Sequence, residues 1–467
     1  MTAPPAPTLA SDSPDPAPPD GTAAAARAAE LQAAGVRYAA ITYVDIHGRS
    51  KAKVVPIDHL PHAVAGSELY TGAALDGVPQ EVHDDEVASV PDLDGGVVVP
   101  WQPDVAWFPS DLTLHGEPFE ACSRQVLRRS RAAAAELGYT FNLGIETEFY
   151  VLRRGEDGSL APLEASDTLA KPCYDLRTLM RTFPFIDELV TMMNGLGWGV
   201  YSFDHEDGNG QFETDFGYAD ALVTADRITF FKLMVTELAR RHGALATFMP
   251  KPFGHLTGSG AHMNMSLAGP GGTNLFADAD DPRGCGLSAL GYQFAAGVLR
   301  HAGAICAVVA PTVNSYKRLV RSGNMSGFTW APVFATLGSN NRTNMLRIPM
   351  AGGRIECRAA DASMNTYLAA ALVLAAGLEG IRDDLDPGAP TRENLYLVAD
   401  DERARRGITW LPRTLDEAVA AFRDDPLAAE AFGADLHAAF AELKQAEWDE
   451  YHAHVSDWEL DRYLTAL

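Results

Sequence analysis

Gly144-Ile145-Glu146-Thr147-Glu148-Phe149-Tyr150 is the stretch on which the fold turns. In a β-strand successive side chains point to opposite faces, so Glu146 and Glu148 share one face. Ile145, Thr147 and Phe149 share the other, which predicts a strand over 141–152 with one face in a core. Two carboxylates side by side in an interior repel each other and lose hydration. A divalent cation relieves both penalties. The bland alternative is a solvated edge strand with two surface glutamates.

Three other segments carry chemistry. Downstream, 203–213 reads FDHEDGNGQFE and leads into a long amphipathic pattern over 219–242. Its acidic spacing does not fit an EF-hand loop, but Glu206 and Glu213 flank the turn and can converge on one ion. Next, 251–267 reads KPFGHLTGSGAHMNMSL, with glycines that let backbone approach a ligand and with His262, Asn264 and Ser266 on one strand face. Last, 314–367 places Arg318, Arg342, Arg347, Arg354 and Arg358 among apolar residues, with Arg354, Glu356 and Arg358 alternating. Guanidinium groups suit phosphates and carboxylates. Surface ion pairing is the competing explanation for them, as a polar loop is for 203–213.

Farther out, residues 1–22 hold seven prolines, three aspartates and no aromatic residue, which predicts a disordered tail. A short helix is expected over 23–35 and two strands about the turn Asp45-Ile46-His47-Gly48. The stretch to residue 112 reads as a small β-rich domain. Beyond it, 113–467 reads as one large α+β unit, with helices at 122–138, 219–242, 286–304, 363–382 and 415–463.

The 467 residues carry 37 Lys plus Arg against 62 Asp plus Glu, a net charge of −25. That acidity argues against a nucleic-acid coat or docking on an anionic membrane. The five cysteines form no C-x-x-C pair, so neither a thiolate metal cage nor a disulfide framework is expected, and a reducing, cytoplasmic compartment fits. The apolar runs near 302–313 and 367–378 are too short for a membrane span of about 20 residues. None of the seven lysines follows a glycine, so there is no Walker loop; G-x-G-x-x-G and G-x-S-x-G are also absent. Any bound nucleotide must be held by arginines and metal ions.

Taken in order, GIETEF, HEDGNGQFE, TGSGAHMNMSL, NSYKRLV, NNRTNMLRIP and RIECRAADASMNTYLA resemble the signatures of the glutamine synthetase superfamily. The likeness spans most of residues 36–467. SFDHEDGNGQFE, GCGLS and EWDEYHAHVSDWELDRYL make it closest to type III glutamate–ammonia ligases and their glutamate–methylamine ligase relatives. The resemblance implies an α+β fold with a small β-grasp domain (23–112) before the catalytic domain (113–467). It also implies a homo-oligomer of stacked rings, a dodecamer, with active sites between subunits.

The resemblance further implies that ATP activates L-glutamate as a γ-glutamyl phosphate, which ammonia or a primary amine then displaces. Glu148, Glu206 and Glu213 would hold the Mg²⁺ or Mn²⁺ facing glutamate; Glu146, His262 and Glu356 would hold the one facing ATP. The donor set itself, mostly carboxylate with one imidazole, favours these ions over Zn²⁺. Arg342, Arg347 and Arg358 would neutralise phosphoryl oxygens. Arg318, with Gly258 nearby, would pair with the substrate α-carboxylate. Ser266 and Arg354 would sit at the nucleotide, and Asp45 of an adjacent subunit would bind or deprotonate the amine. Tyr396 stands where some bacterial members carry an adenylylated tyrosine, with Leu397 in place of the usual aspartate.

One departure concerns the acceptor. Ammonia-using members carry a flap glutamate after N-x-Y-K-R-L, where this chain reads GNMSGFTWAPV with Thr329 or Trp330 at that place. No acid occurs between Arg318 and Arg354, which weakens selection for a small cation and makes room for an alkylamine. Thr257 and Asn264 replace an asparagine and a histidine usual in that family. A catalytically silent scaffold and a two-metal hydrolase are the other classes the residues allow.

Overall fold

The computed structural model describes residues 21–321 and 330–466. The disordered tail expected over 1–22 therefore lies almost wholly outside the described residues, while Gly21 and Thr22 already belong to the helix Gly21–Ala33.

Among the described residues the strands make two sheets. The first contains β1 (Tyr38–Val44), β2 (Ser50–Pro56), β3 (Leu69–Tyr70), β4 (Val87–Pro91), β5 (Val97–Val98), β6 (Val105–Leu114) and β7 (Glu117–Pro118). Its order is β2-β1-β6-β4-β3, with β1 parallel to β6 and antiparallel to β2. The strand–turn–strand expected around Asp45 is present. Ala28 and Leu31 of the first helix pack with Val36, Ile41, Val55 and Phe108 to cover this sheet. Its last strand ends at Pro118, six residues past 112.

The second sheet contains β8 (Thr140–Arg154), β9 (Leu160–Pro162), β10 (Val200–His205), β11 (Gln211–Phe216), β12 (Ala219–Asp220), β13 (Leu245–Thr247), β14 (Ala261–Ala268), β15 (Phe334–Ser339), β16 (Asn344–Ile348) and β17 (Ile355–Cys357). The order β10-β11-β8-β14-β17-β16-β15 puts β8 at the centre of the site-bearing strands. Ile145 and Phe149 go down into the main core with Phe231 and Met263, as alternation requires. Glu146 pairs with His262 across β8 and β14, and Glu148 with Glu213 across β8 and β11.

The helices Ala221–Arg241 and Thr366–Arg382 lie in the main core. Two helical expectations need correction. The segment 286–304 is broken: helices Ala289–Arg300 and Ala302–Val309 meet at His301, which leaves the helical region at φ −101° and ψ 17°. The segment 415–463 is four helices, Leu415–Asp424, Pro426–Phe432, Ala434–Ala453 and Asp457–Tyr463. Asp425 caps the second through the Leu427 and Ala428 amides, Gly433 at φ 80° ends it, and Ser456 opens the fourth with a capping box. Among the described residues no single helix is long and apolar enough to cross a membrane, and all five cysteines are free thiols.

A buried cation joins the two sheets. Arg124, 3% exposed, donates to Asp226 Oδ1 at 3.0 Å, Asp111 Oδ2 at 2.7 Å and Asp92 Oδ2 at 2.8 Å. Tyr367 donates its hydroxyl to the same Asp226 oxygen at 2.7 Å.

Candidate active site

The strand faces predicted to be polar converge. His262, buried between β8 and β17, has Nδ1 3.8 Å from both Glu146 and Glu356 and Nε2 3.9 Å from Glu148. Ligand atoms of Glu146, His262 and Glu356 all fall within 4.8 Å of one another, and so do those of Glu148, Glu213 and His262. One imidazole thus belongs to both groups. Glu206 lies outside the second trio, although its charge is felt by Glu213.

Electrostatics marks the same residues. Burial, then the charge of Glu148, pushes the Glu206 carboxyl up to about 8. Burial followed by Glu148 and Glu206 holds Glu213 well above the usual carboxylate range. Burial also raises Glu148, against the pull of Arg318 and the Gly260 amide. For His262, burial and then Arg358 push the imidazole well below its ordinary value, leaving it neutral and able to ligate. Glu356 is the exception: burial raises it, but Arg358, His262 and Arg347 outweigh burial and keep it below the carboxylate range. Uncompensated acids beside a neutral imidazole form a donor set that fits a hard divalent cation.

The arginines frame this cluster. Arg347 Nη1 and Arg358 Nη1 each donate to a Glu356 oxygen. Arg318, 6% exposed, is aimed by the carbonyls of Ala359 and Arg358 at 3.1 and 3.0 Å. Arg354 donates to Asn264 Oδ1 at 2.9 Å, and Asn264 in turn donates to Glu146 at 2.9 Å. Arg342 is exposed, and its carbonyl accepts from Arg358. Ser266 sits two residues along the same β14 face as Asn264.

Glycine is required at two positions here. A Cβ at Gly258 would lie 2.5 Å from the Pro250 carbonyl, and one at Gly260 would lie 2.7 Å from both Arg318 Nη2 and His262 Nε2.

Asp45 stands apart. It is 2% exposed, and its Oδ1 accepts from the His47 and Arg49 amides at 3.0 and 2.9 Å. Its other oxygen faces Lys51 at 3.4 Å, and its carbonyl accepts from Asn365 at 2.8 Å. The turn of its own chain fixes this carboxylate at one oxygen, which leaves Oδ2 as the oxygen available to the amine-binding role implied for Asp45. Thr329 lies outside the described residues. Trp330 is half exposed, and the Tyr396 hydroxyl donates to the Ala331 carbonyl.

Two features of the site were not foreseen from sequence. Gln211 donates to Glu148 Oε2 at 3.3 Å, the Gly258 carbonyl at 3.1 Å and Ser259 Oγ at 3.2 Å, tying three site segments together. Its position in the Gly-Gln pair of HEDGNGQFE was the available signal. The second is a further acidic group, Asp204, Glu213 and Asp215. Strand alternation of 213 and 215 hinted at it.

Comparison with known proteins agrees with this geometry. Residues 120–463 match the family described as glutamine synthetase, catalytic domain. The chain is 44% identical over 430 residues to a glutamate–methylamine ligase of Methyloversatilis universalis, covering 92% of this chain and 96% of that one. It is 41% identical over 436 residues to a glutamine synthetase of Rhizobium leguminosarum bv. phaseoli, covering 92% and 97%. A solved GmaS/ADP complex superimposes with a TM-score of 0.87 at 40% identity, covering 94% of this chain and 99% of that one. On this match of sequence and fold, the chain belongs to the glutamine synthetase family.

Proposed function

We propose that this protein joins a primary alkylamine, methylamine being the simplest, to the γ-carboxylate of L-glutamate at the expense of ATP. The ligase class, with its dependence on ATP and a divalent cation, follows from family membership; the acceptor and the residue roles are the proposal. The observation that carries it is the acid and imidazole cluster on β8, β11, β14 and β17, ringed by Arg318, Arg347 and Arg358.

In this scheme Glu146, His262 and Glu356 hold one Mg²⁺ or Mn²⁺, and Glu148, Glu206 and Glu213 hold a second. Bound there, the cations would supply charge neutralisation at the phosphates and polarisation of the carboxylate. Arg318, with Gly258 packed beside it, pairs with the α-carboxylate of glutamate. A γ-carboxylate oxygen attacks the γ-phosphorus of ATP, ADP leaves, and Arg342, Arg347 and Arg358 neutralise the phosphoryl oxygens. Ser266 and Arg354 orient the nucleotide. The amine nitrogen then attacks the acyl carbon, phosphate departs, and the nitrogen loses a proton.

The alkylamine is favoured by the absence of any acid between Arg318 and Arg354. It is also supported by the likeness to a protein named for methylamine. Ring assembly, with sites shared between subunits, and a cytoplasmic location complete the proposal.

The test is phosphate release from ATP with Mg²⁺ and L-glutamate, with ammonium, methylamine, ethylamine and a diamine compared and each amide product weighed. A kcat/KM for methylamine at least tenfold above that for ammonium is expected. Equal or better turnover with ammonium would make this a glutamine-forming enzyme. No turnover with any amine would return the silent scaffold.

A further inference from the structure

Asp167 and His205 are buried side chains to which the scheme above gives no role. Asp167 is 3% exposed and His205 is fully buried. Asp167 lies between β9 and β10, away from the site strands in sequence. Its Oδ2 accepts from His205 Nε2 at 2.7 Å and from the Gly210 amide at 2.6 Å; its Oδ1 accepts from Asn209 Nδ2 at 2.9 Å. Burial raises the Asp167 carboxyl, but these donors outweigh burial and keep it ionised. The other nitrogen of His205, Nδ1, meets the carbonyl of Glu206 at 2.8 Å. The ring is thus held at both nitrogens, by Asp167 on one side and the Glu206 main chain on the other.

The consequence falls on one loop. Residues 206–211 carry Glu206 at one end and Gln211 at the other, and Gln211 holds a Glu148 oxygen. The loop has two glycines, Gly208 and Gly210, the latter at φ 79°. Glycine-rich main chain is mobile unless fixed from outside. Asp167 fixes it at three points, the Glu206 carbonyl through His205, Asn209 and the Gly210 amide, while Val151 and Thr257 hold the Gly210 carbonyl and the Asp207 side chain. The main-chain carbonyl of His205 also accepts from the amide of Tyr174, a non-glycine residue held at φ 63° beside the loop.

We infer that Asp167 is a positioning residue: through His205 and the Asn209–Gly210 turn it fixes the main chain that presents Glu206 and Gln211 to the metal-binding carboxylates. The inference rests on the assignment of Glu206 and Glu148 as metal ligands. Groups that hydrogen-bond a ligand-bearing segment set metal affinity by holding the ligand at its working distance. Asp167 touches neither substrate nor metal, so its loss shows first in affinity for the ion.

The experiment is Mn²⁺ binding to the full-length protein, followed by electron paramagnetic resonance, for wild type, Asp167→Asn, His205→Gln and Glu206→Gln. The midpoint of thermal unfolding and the Mn²⁺ dependence of kcat are measured alongside. Asp167→Asn is expected to weaken Mn²⁺ about tenfold or more, with kcat at saturating Mn²⁺ restored to within about threefold. His205→Gln leaves the contacts of Asp167 with Asn209 and Gly210 in place, so it falls between wild type and Asp167→Asn, and it carries the test if Asp167→Asn does not fold. An Asp167→Asn protein that binds Mn²⁺ as wild type does, with only a lowered unfolding midpoint, overturns the inference and leaves the metal site standing. A wild type that does not bind Mn²⁺, or a Glu206→Gln variant that binds it unchanged, overturns the ligand assignment itself.

Discussion

Glu206→Gln separates stability from function in a way the geometry makes quantitative. The Glu206 carboxyl rises from 4.5 to about 8, first by burial and then by the charge of Glu148. At pH 7 the unfolded carboxyl is ionised while the folded one holds a proton, so folding takes up a proton. Its contribution to stability therefore falls as the pH climbs from about 4.5 to about 8 and is flat above. At about 1.4 kcal/mol per pH unit, the interval from 4.5 to 7 is worth about 3 kcal/mol. The side chain is partly exposed, and screening cuts this by about half, to about 1–2 kcal/mol. Glutamine cannot ionise and escapes that cost. In EDTA at pH 7 the variant should unfold about 1–2 °C above wild type, and the gap should shrink severalfold at pH 5. Saturating Mn²⁺ should reverse the order, because an ion at 100 times its dissociation constant adds about 2.7 kcal/mol to the protein that binds it. Scanning calorimetry with and without Mn²⁺ reads both effects. A variant less stable than wild type in EDTA, or one that gains as much from Mn²⁺, would refute the reasoning.

His301 and Gly260 give two more expected outcomes. His301 sits between Asp425 Oδ2 at 2.7 Å and Glu379; burial lowers its imidazole, but the two carboxylates outweigh burial and raise it. Its stabilisation is complete below about pH 6.5 and is lost as the pH rises through the raised value, so His301→Gln should cost roughly 1–3 kcal/mol at pH 6 and little at pH 9 by urea titration; equal losses at both would sink the ion-pair account. Gly260→Ala drives a methyl to 2.7 Å from Arg318 and His262, and should lower kcat/KM at least about 100-fold while moving the unfolding midpoint little; retained activity would mean that the close approach is not needed.

The site was legible wherever side-chain alternation and motif coincide. Glu146 and Glu148 on one face of β8, and His262, Asn264 and Ser266 on one face of β14, follow from period two alone, whereas the register that sets His262 opposite Glu146 does not. The Asp45 turn was legible too, but its burial was not, because enclosure depends on Asn365, some three hundred residues away. Long-range pairs such as Asp167 with His205 leave no local pattern at all. Among helices, the apolar content of 415–463 hid three breaks, although Pro426, Gly433 and Ser456 each announce one in physical terms. The helix Leu176–Gly195 was missed outright. It carries Pro184 in its interior, a residue that argues against helix locally, yet it buries Phe185, Ile186 and Leu189.

The Arg124 cluster has a bearing on chimeras. Asp92 and Asp111 come from the first sheet, whereas Asp226 comes from the helix that backs the second. Exchanging the first hundred or so residues with those of a relative would transplant two acids and leave the guanidinium behind. A recipient lacking its own matching cation would then hold unpaired buried charge, a defect of roughly 3–5 kcal/mol. Shuffled libraries cut between Leu114 and Arg124 should therefore survive only when the two acids and the arginine are both present or both absent. That pattern would be visible in the sequences of the survivors before any of them is assayed.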